Sequence, residues 1–145
     1  MKNIITIIIL SSIVNASSFK NTIYNDVNVS EVTSIYDGDT FRANLKGYPD
    51  IIGKRIPVRI NGIDAPEIKG KCYKEKALAR EAKMLAVEKL RNSKSIILKN
   101  VKRGKYFRII ADVYVDGESL ADILLERNLA KEYNGSKKID WCGEN

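Results

Sequence analysis

One stretch of helical periodicity interrupts a chain whose other apolar residues mostly alternate, and that interruption limits the folds open to it. Between Tyr73 and Arg91 the residues Leu78, Ala82, Leu85, Ala86 and Leu90 share one face of a helix. Ahead of it, Asn25 to Tyr36 carries Val27, Val29, Val32 and Ile35, with Thr33 and Tyr36 adding β-propensity, and reads as a strand. Asp37-Gly38-Asp39 has turn chemistry, Thr40 to Leu45 reads as a second strand, and Lys46 to Asp50 as a loop. Arg55 to Ile60 alternates, with Ile56, Val58 and Ile60 on one face. After the helix, Ser95 to Val101 and Phe107 to Val115 read as a fourth and a fifth strand, joined through Lys102-Arg103-Gly104-Lys105. Asp116-Gly117 makes a turn, and Ser119 caps a short helix from Leu120 to about Arg127. This order fits an α+β, mainly β chain: a five-stranded OB-type barrel with one long helix and one or two shorter C-terminal helices. Other α+β folds share the order. The tail from Tyr133 to Asn145 is polar, and Trp141-Cys142 is expected to tether it to the body.

The 145 residues suffice for one domain. Residues 1–16 read as a secretory signal: Lys2 gives a basic start, Ile4 to Val14 is almost wholly apolar, and Val14-Asn15-Ala16 suits a signal peptidase. The alternative, a membrane anchor, needs about 20 apolar residues. Residues 17–30 are then an extension and the start of the first strand, and residues 31–145 the domain. The mature chain is expected to be secreted or periplasmic, monomeric, without a membrane span or a stable protein partner.

A net charge of +7 favours a polyanion: nucleic acid, anionic lipid or acidic polysaccharide. Charge alone does not choose among them, and interspersed pairs such as Arg80-Glu81 are also how a solvated surface looks. The two cysteines, Cys72 and Cys142, suggest a disulfide in an exported chain. On the chain-entropy account, closing so long a loop stabilises by about 4 kcal/mol. Two free thiols are the other reading. The chain contains no histidine. That excludes histidine bases and ligands, and Ser-His-Asp or Cys-His hydrolysis. Any catalysis rests on carboxylates, arginines, lysines or tyrosines.

Three segments gather such groups: Asp37-Gly38-Asp39-Thr40, Arg59 through Glu67, and Tyr106-Phe107-Arg108. Each has a structural explanation. Asp-Gly-Asp is a common hairpin turn, Asp64-Ala65-Pro66-Glu67 suits a helix start, and a strand arginine usually pairs with a surface carboxylate. Together they suit phosphoryl transfer. Asp39 and Asp64 offer oxygen ligands to a hard cation such as Ca²⁺. Arg59 and Arg108 offer charge where negative charge develops, and Glu67 can activate or orient water.

In order and spacing, Asp37-Gly38-Asp39-Thr40, Arg59, Asp64-Ala65-Pro66-Glu67 and Tyr106-Phe107-Arg108 resemble the signature segments of the staphylococcal nuclease family. Asp116 to Leu120 and Arg127 to Ala130 continue the resemblance, which runs from about Glu31 to Tyr133. The resemblance implies that Asp39, Asp64 and the Ala65 carbonyl bind Ca²⁺, with Asp37 standing behind them. It implies that Arg59 and Arg108 bind the scissile phosphate and its transition state, that Glu67 is the base or positions the water, and that Tyr106 contacts the nucleotide. It implies hydrolysis of DNA and RNA to 3′-phosphates; single-stranded substrate is favoured.

The chain departs from that pattern in four places. Ala65 stands where threonine is usual, Phe107 replaces a glycine, the loop after Glu67 is short, and the long C-terminal helix is replaced by the Trp141-Cys142 tail. Two other functions remain open. One is a non-catalytic OB module binding single-stranded nucleic acid or a protein through Tyr36, Phe41, Tyr106, Phe107 and Tyr114. The other is a phosphodiesterase of narrower substrate range. A pure binder has no use for Asp39, Asp64 and Glu67 beside a phosphate. Replacing Arg59 or Arg108 is expected to lower the rate by orders of magnitude with little loss of fold.

Overall fold

The computed structural model describes residues 22–143. The signal reading of residues 1–16, the first part of the extension, and Glu144 and Asn145 lie outside them. The element order is β1 (Val27–Ile35), β2 (Thr40–Leu45), α1 (Asp50–Gly53), β3 (Ile56–Ile60), β4 (Ile63–Asp64), α2 (Tyr73–Asn92), β5 (Ile96–Arg103), β6 (Ile109–Val115), β7 (Glu118–Ser119), α3 (Leu120–Glu126) and β8 (Lys131–Glu132).

Five of these strands close on themselves. β1 pairs antiparallel with β2 and β5, β2 with β3, and β5 with β6, while β3 and β6 run parallel and complete the ring. Closure leaves no open edge among them. β1 and β5 each carry register shifts, near Ser30 and Thr33 in β1 and between Lys99 and Lys102 in β5. Such shifts bend and twist a strand, as a small barrel requires. Alternation decides what faces inward: Phe41, Ala43, Val58, Ile60, Leu98, Ala111 and Val113 are buried, and their neighbours are not. α2 adds Ala82, Leu85, Ala86 and Leu90 to the same core, and α3 adds Leu120 and Leu124. This is the barrel that the order of periods predicts.

The differences are local. The loop after β2 contains the one-turn helix α1, which opens behind Pro49, whose ring favours a helix start. β6 begins at Ile109 rather than Phe107, because Tyr106 and Phe107 have φ of 55° and 61°, outside the strand region. Among the described residues a single helix follows the barrel. β4 and β8 pair with each other, Ile63 opposite Glu132 and Asp64 opposite Lys131. Two-residue strands carry no period and could not be read in advance. No described helix is long and apolar enough to cross a membrane.

Candidate active site

Asp37, Gly38 and Asp39 form the turn between β1 and β2. The Asp39 amide donates to Asp37 Oδ1 at 3.1 Å, so the Asp37 side chain holds its own turn. A Cβ on Gly38 would lie 2.8 Å from that of Ala82 and 3.1 Å from that of Ala65. The turn is pressed between α2 and the residue after β4, where a side chain has no room.

That pressure brings three strand ends together. Thr40 lies opposite Arg59, and the Ile60 amide donates to the Asp39 carbonyl at 2.9 Å, so Asp39 sits beside Arg59. Asp39 is 1% exposed. Its Oδ1 accepts from Arg59 Nη1 at 2.6 Å and from Thr40 Oγ1 at 2.8 Å, and its Oδ2 accepts from the Ala65 amide at 2.7 Å. Arg59 Nη2 donates to Asp64 Oδ1 at 3.0 Å and to the Ile63 carbonyl at 3.3 Å. Trp141 Nε1 donates to the remaining Asp64 oxygen, Oδ2, at 3.3 Å.

Asp37, Asp39 and Asp64 are all buried, and Arg59 is the arginine they gather round. Desolvation, aided by the charge of Asp39, pushes the Asp37 carboxyl up to about 7. Desolvation raises Asp39 as well, against the opposing pull of Arg59. The cluster sets three acids against one guanidinium, an oxygen-rich arrangement of the kind a hard cation takes. Cys72, Glu75 and Cys142 lie within ligand distance of one another, but the two sulfurs are joined as a disulfide, with Cα atoms 6.0 Å apart, and are not free to ligate.

Glu67 follows on the loop from β4 to α2, half-exposed, with its Oε1 paired to Lys138 Nζ. A buried acid that the sequence reading passed over organises this loop. Glu75 Oε2 accepts from the Lys71 amide at 2.8 Å, its Oε1 accepts from the Glu67 amide at 3.4 Å, and Gly70 is packed against its side chain. The signal for it lay in Cys72-Tyr73-Lys74-Glu75. Cys72 is the N-cap of α2, accepting from the Glu75 amide, and an acid three residues on is the capping-box position.

Arg108 is set by a tight turn: the Gly104 amide donates to the Arg108 carbonyl at 2.7 Å, and the Arg108 amide to the Lys105 carbonyl at 3.1 Å. Arg59 lies opposite Ile110 in the parallel pairing, and Arg108 stands just ahead of that strand, two residues before Ile110. The Nε of Arg108 is buried without a hydrogen-bond partner. The fold thus gathers Asp37, Asp39, Arg59, Asp64, Ala65 and Glu67, with Arg108 just ahead of β6, the strand that pairs with β3. Tyr106 is not drawn in: it is 94% exposed at the tip of the loop between β5 and β6. Lys138 and Trp141 also reach the acids; Trp141 was expected to tether the tail but not to meet Asp64, and Lys138 carries no local signal in the sequence.

The staphylococcal nuclease homologue family matches residues 57–141, more than half of the chain and ending on the tryptophan that reaches Asp64. The chain belongs to that family. Asp37 and Asp39 lie ahead of the family match and are brought to it by the pairing of β2 with β3. Two relatives from Bacillus subtilis (strain 168) are the SPbeta prophage-derived endonuclease YokF and the endonuclease YncB. Each is 36% identical over 100 residues, covering 66% of this chain and 31% and 43% of the relatives respectively. The chain spans less than half the length of either.

Proposed function

We propose that this family member is a calcium-dependent nuclease that hydrolyses DNA and RNA to 3′-phosphate products. The observation that carries the reading is the burial of Asp39 and Asp64 around Arg59, with Asp37 behind them and Glu67 at the rim. Such a concentration of buried acid costs stability unless a cation and a substrate complete it. The names of the two relatives, both endonucleases, point the same way.

Asp39, Asp64 and the Ala65 carbonyl would hold the Ca²⁺, which would supply Lewis acidity toward a phosphoryl oxygen. Arg59, already fixed by two carboxylates, presents its remaining donors to the phosphate. Arg108, with a buried donor left unmet, bears the charge that develops in the transition state. Glu67 takes a proton from the attacking water as the bond from water to phosphorus forms and the bond to the 5′ oxygen breaks. Asp37 keeps the Asp39 turn in place. Tyr106, free in solvent, closes on the nucleotide only when one is bound. The substrate is single-stranded, because an exposed aromatic loop can meet an unpaired base. The chain acts as a monomer outside the cytoplasm, in line with the apolar leader of residues 1–16 and the Cys72–Cys142 pairing.

Digestion of single-stranded DNA by the purified chain, with calcium and with chelator, beside Glu67→Gln, tests the reading. Calcium-dependent cleavage lost in both controls is expected. Tight binding of the strand without cleavage by the wild type would replace the enzyme with a binding module.

A further inference from the structure

Residues 133–143 form neither helix nor strand, yet they reach the site at three points. Cys142 is bonded to Cys72, the residue that caps α2 and closes the loop bearing Glu67. Trp141 is 5% exposed and spends its one polar hydrogen on Asp64 Oδ2. Lys131, the β8 partner of Asp64, holds its Nζ 5.0 Å from the centre of the indole ring. Lys138 places its Nζ on Glu67 Oε1. A polar segment with no secondary structure thus contacts two of the acids that the chemistry requires.

The kind of contact matters as much as its location. Asp64 has Arg59 on one oxygen and Trp141 on the other. An indole N–H is a neutral, donor-only group, so it orients the carboxylate without adding charge that would compete with a cation. Its ring is buried, so the donor cannot swing away unless the segment lifts. A crosslink one residue later prevents that.

We propose that the C-terminal segment is a wall of the active site, in which Trp141 positions Asp64 for the cation and Lys138 positions Glu67 for the water. The segment does this because Cys142 is tied to Cys72. The proposal rests on the calcium-nuclease reading above. Trp141 and Lys138 are positioning residues: each acts through the carboxylate it touches.

Titration calorimetry of Ca²⁺ into the purified chain separates the two roles, with thermal melts and single-stranded DNA kinetics alongside. Trp141→Phe, which keeps a ring and removes the donor, should weaken calcium binding about tenfold or more. At saturating calcium it should recover much of its kcat. Lys138→Met should leave calcium affinity unchanged and lower kcat about tenfold, with Lys138→Arg restoring most of it. Reduction of the wild type should reproduce the weakened calcium binding, and it carries the test should Trp141→Phe fail to fold. Calcium affinity equal to the untreated wild type, in Trp141→Phe or, where that variant does not fold, in the reduced protein, overturns the tryptophan role, and an unchanged kcat in Lys138→Met overturns the lysine role. A wild type that binds calcium and cuts DNA while all variants match it defeats this proposal alone. A wild type that does neither defeats the nuclease reading as well.

Discussion

The two halves of the site are built differently. Asp39 and Asp64 stand buried at strand ends with the part-buried Arg59 between them, and each of the three makes at least two contacts with fixed partners. Glu67, Tyr106, Arg108 and Lys138 stand on loops and the tail, where Glu67 and Lys138 are half-exposed and Tyr106 is wholly so. On the proposed reading, the barrel fixes the half that holds the cation, and the loops carry the half that meets the polymer.

The comparison predicts opposite consequences for removing a group from each half. Glu67→Gln should lower the cleavage rate by about 10² to 10⁴ while the melting temperature hardly moves, because that carboxylate lies half in solvent. Arg108→Lys should cost about 10² to 10³ in rate, also at little cost in fold. Arg59→Ala should do both kinds of damage. It leaves Asp39 and Asp64 buried without their guanidinium, a loss of about 3 to 5 kcal/mol when one partner of a buried pair is removed. Two ion pairs to buried carboxylates tie Arg59 to the fold, so its replacement is expected to cost stability where that of Arg108 is not. Equal melting temperatures for the two arginine variants would break the distinction between the halves.

The buried half should also respond to pH. The Asp37 carboxyl titrates near 3.8 in an unfolded chain and at about 7 when folded, because burial disfavours its charge. The folded state then keeps a proton that the unfolded state gives up. Stability from this group is full below the unfolded value and is lost as pH rises through the folded one. Calcium-free protein should be less stable at neutral pH than near pH 4 to 5 on this account, by about 2 to 3 kcal/mol, and melt correspondingly lower. Asp37→Asn should flatten the profile. Melts across that range, with chelator present, check the sign; a wild-type profile that rises to neutrality and is copied by Asp37→Asn would contradict it.

The legible parts of the molecule are those where one residue's role repeats along the chain. Val58 and Ile60 in β3 and Leu85 and Leu90 in α2 announce their faces because the neighbours alternate or recur with them. Asp39, Arg59 and Asp64 were legible as a group because turn chemistry and strand ends place them within reach. β4 and β8 were not, since two residues hold no period. Nor was the pairing of Trp141 with Asp64, which are 77 residues apart and share no pattern. Glu75 lay between these cases. Its capping position was visible, but not that its carboxylate would turn back to hold the loop of Glu67.

The smallest effect concerns the loop tip, where Phe107 stands in the left-handed region with φ of 61° and the Arg103 guanidinium lies 4.1 Å from its ring centre. The conformation costs a non-glycine residue roughly 1 to 2 kcal/mol. The stacked arginine returns about 0.5 to 1 kcal/mol at an exposed position. Phe107→Ala removes the stacking and keeps the backbone cost, so it should lower stability by about 1 kcal/mol or less. Phe107→Gly removes both terms and adds the entropy of a freer unfolded chain, roughly 0.4 to 1 kcal/mol. The three nearly cancel, and Phe107→Gly should melt within a degree or two of the wild type and above Phe107→Ala. Reversal of that order would mean that the left-handed turn is not strained. The phenylalanine would then contribute through its ring alone, and the loop-borne half of the site would be as settled in its backbone as the strand-borne half.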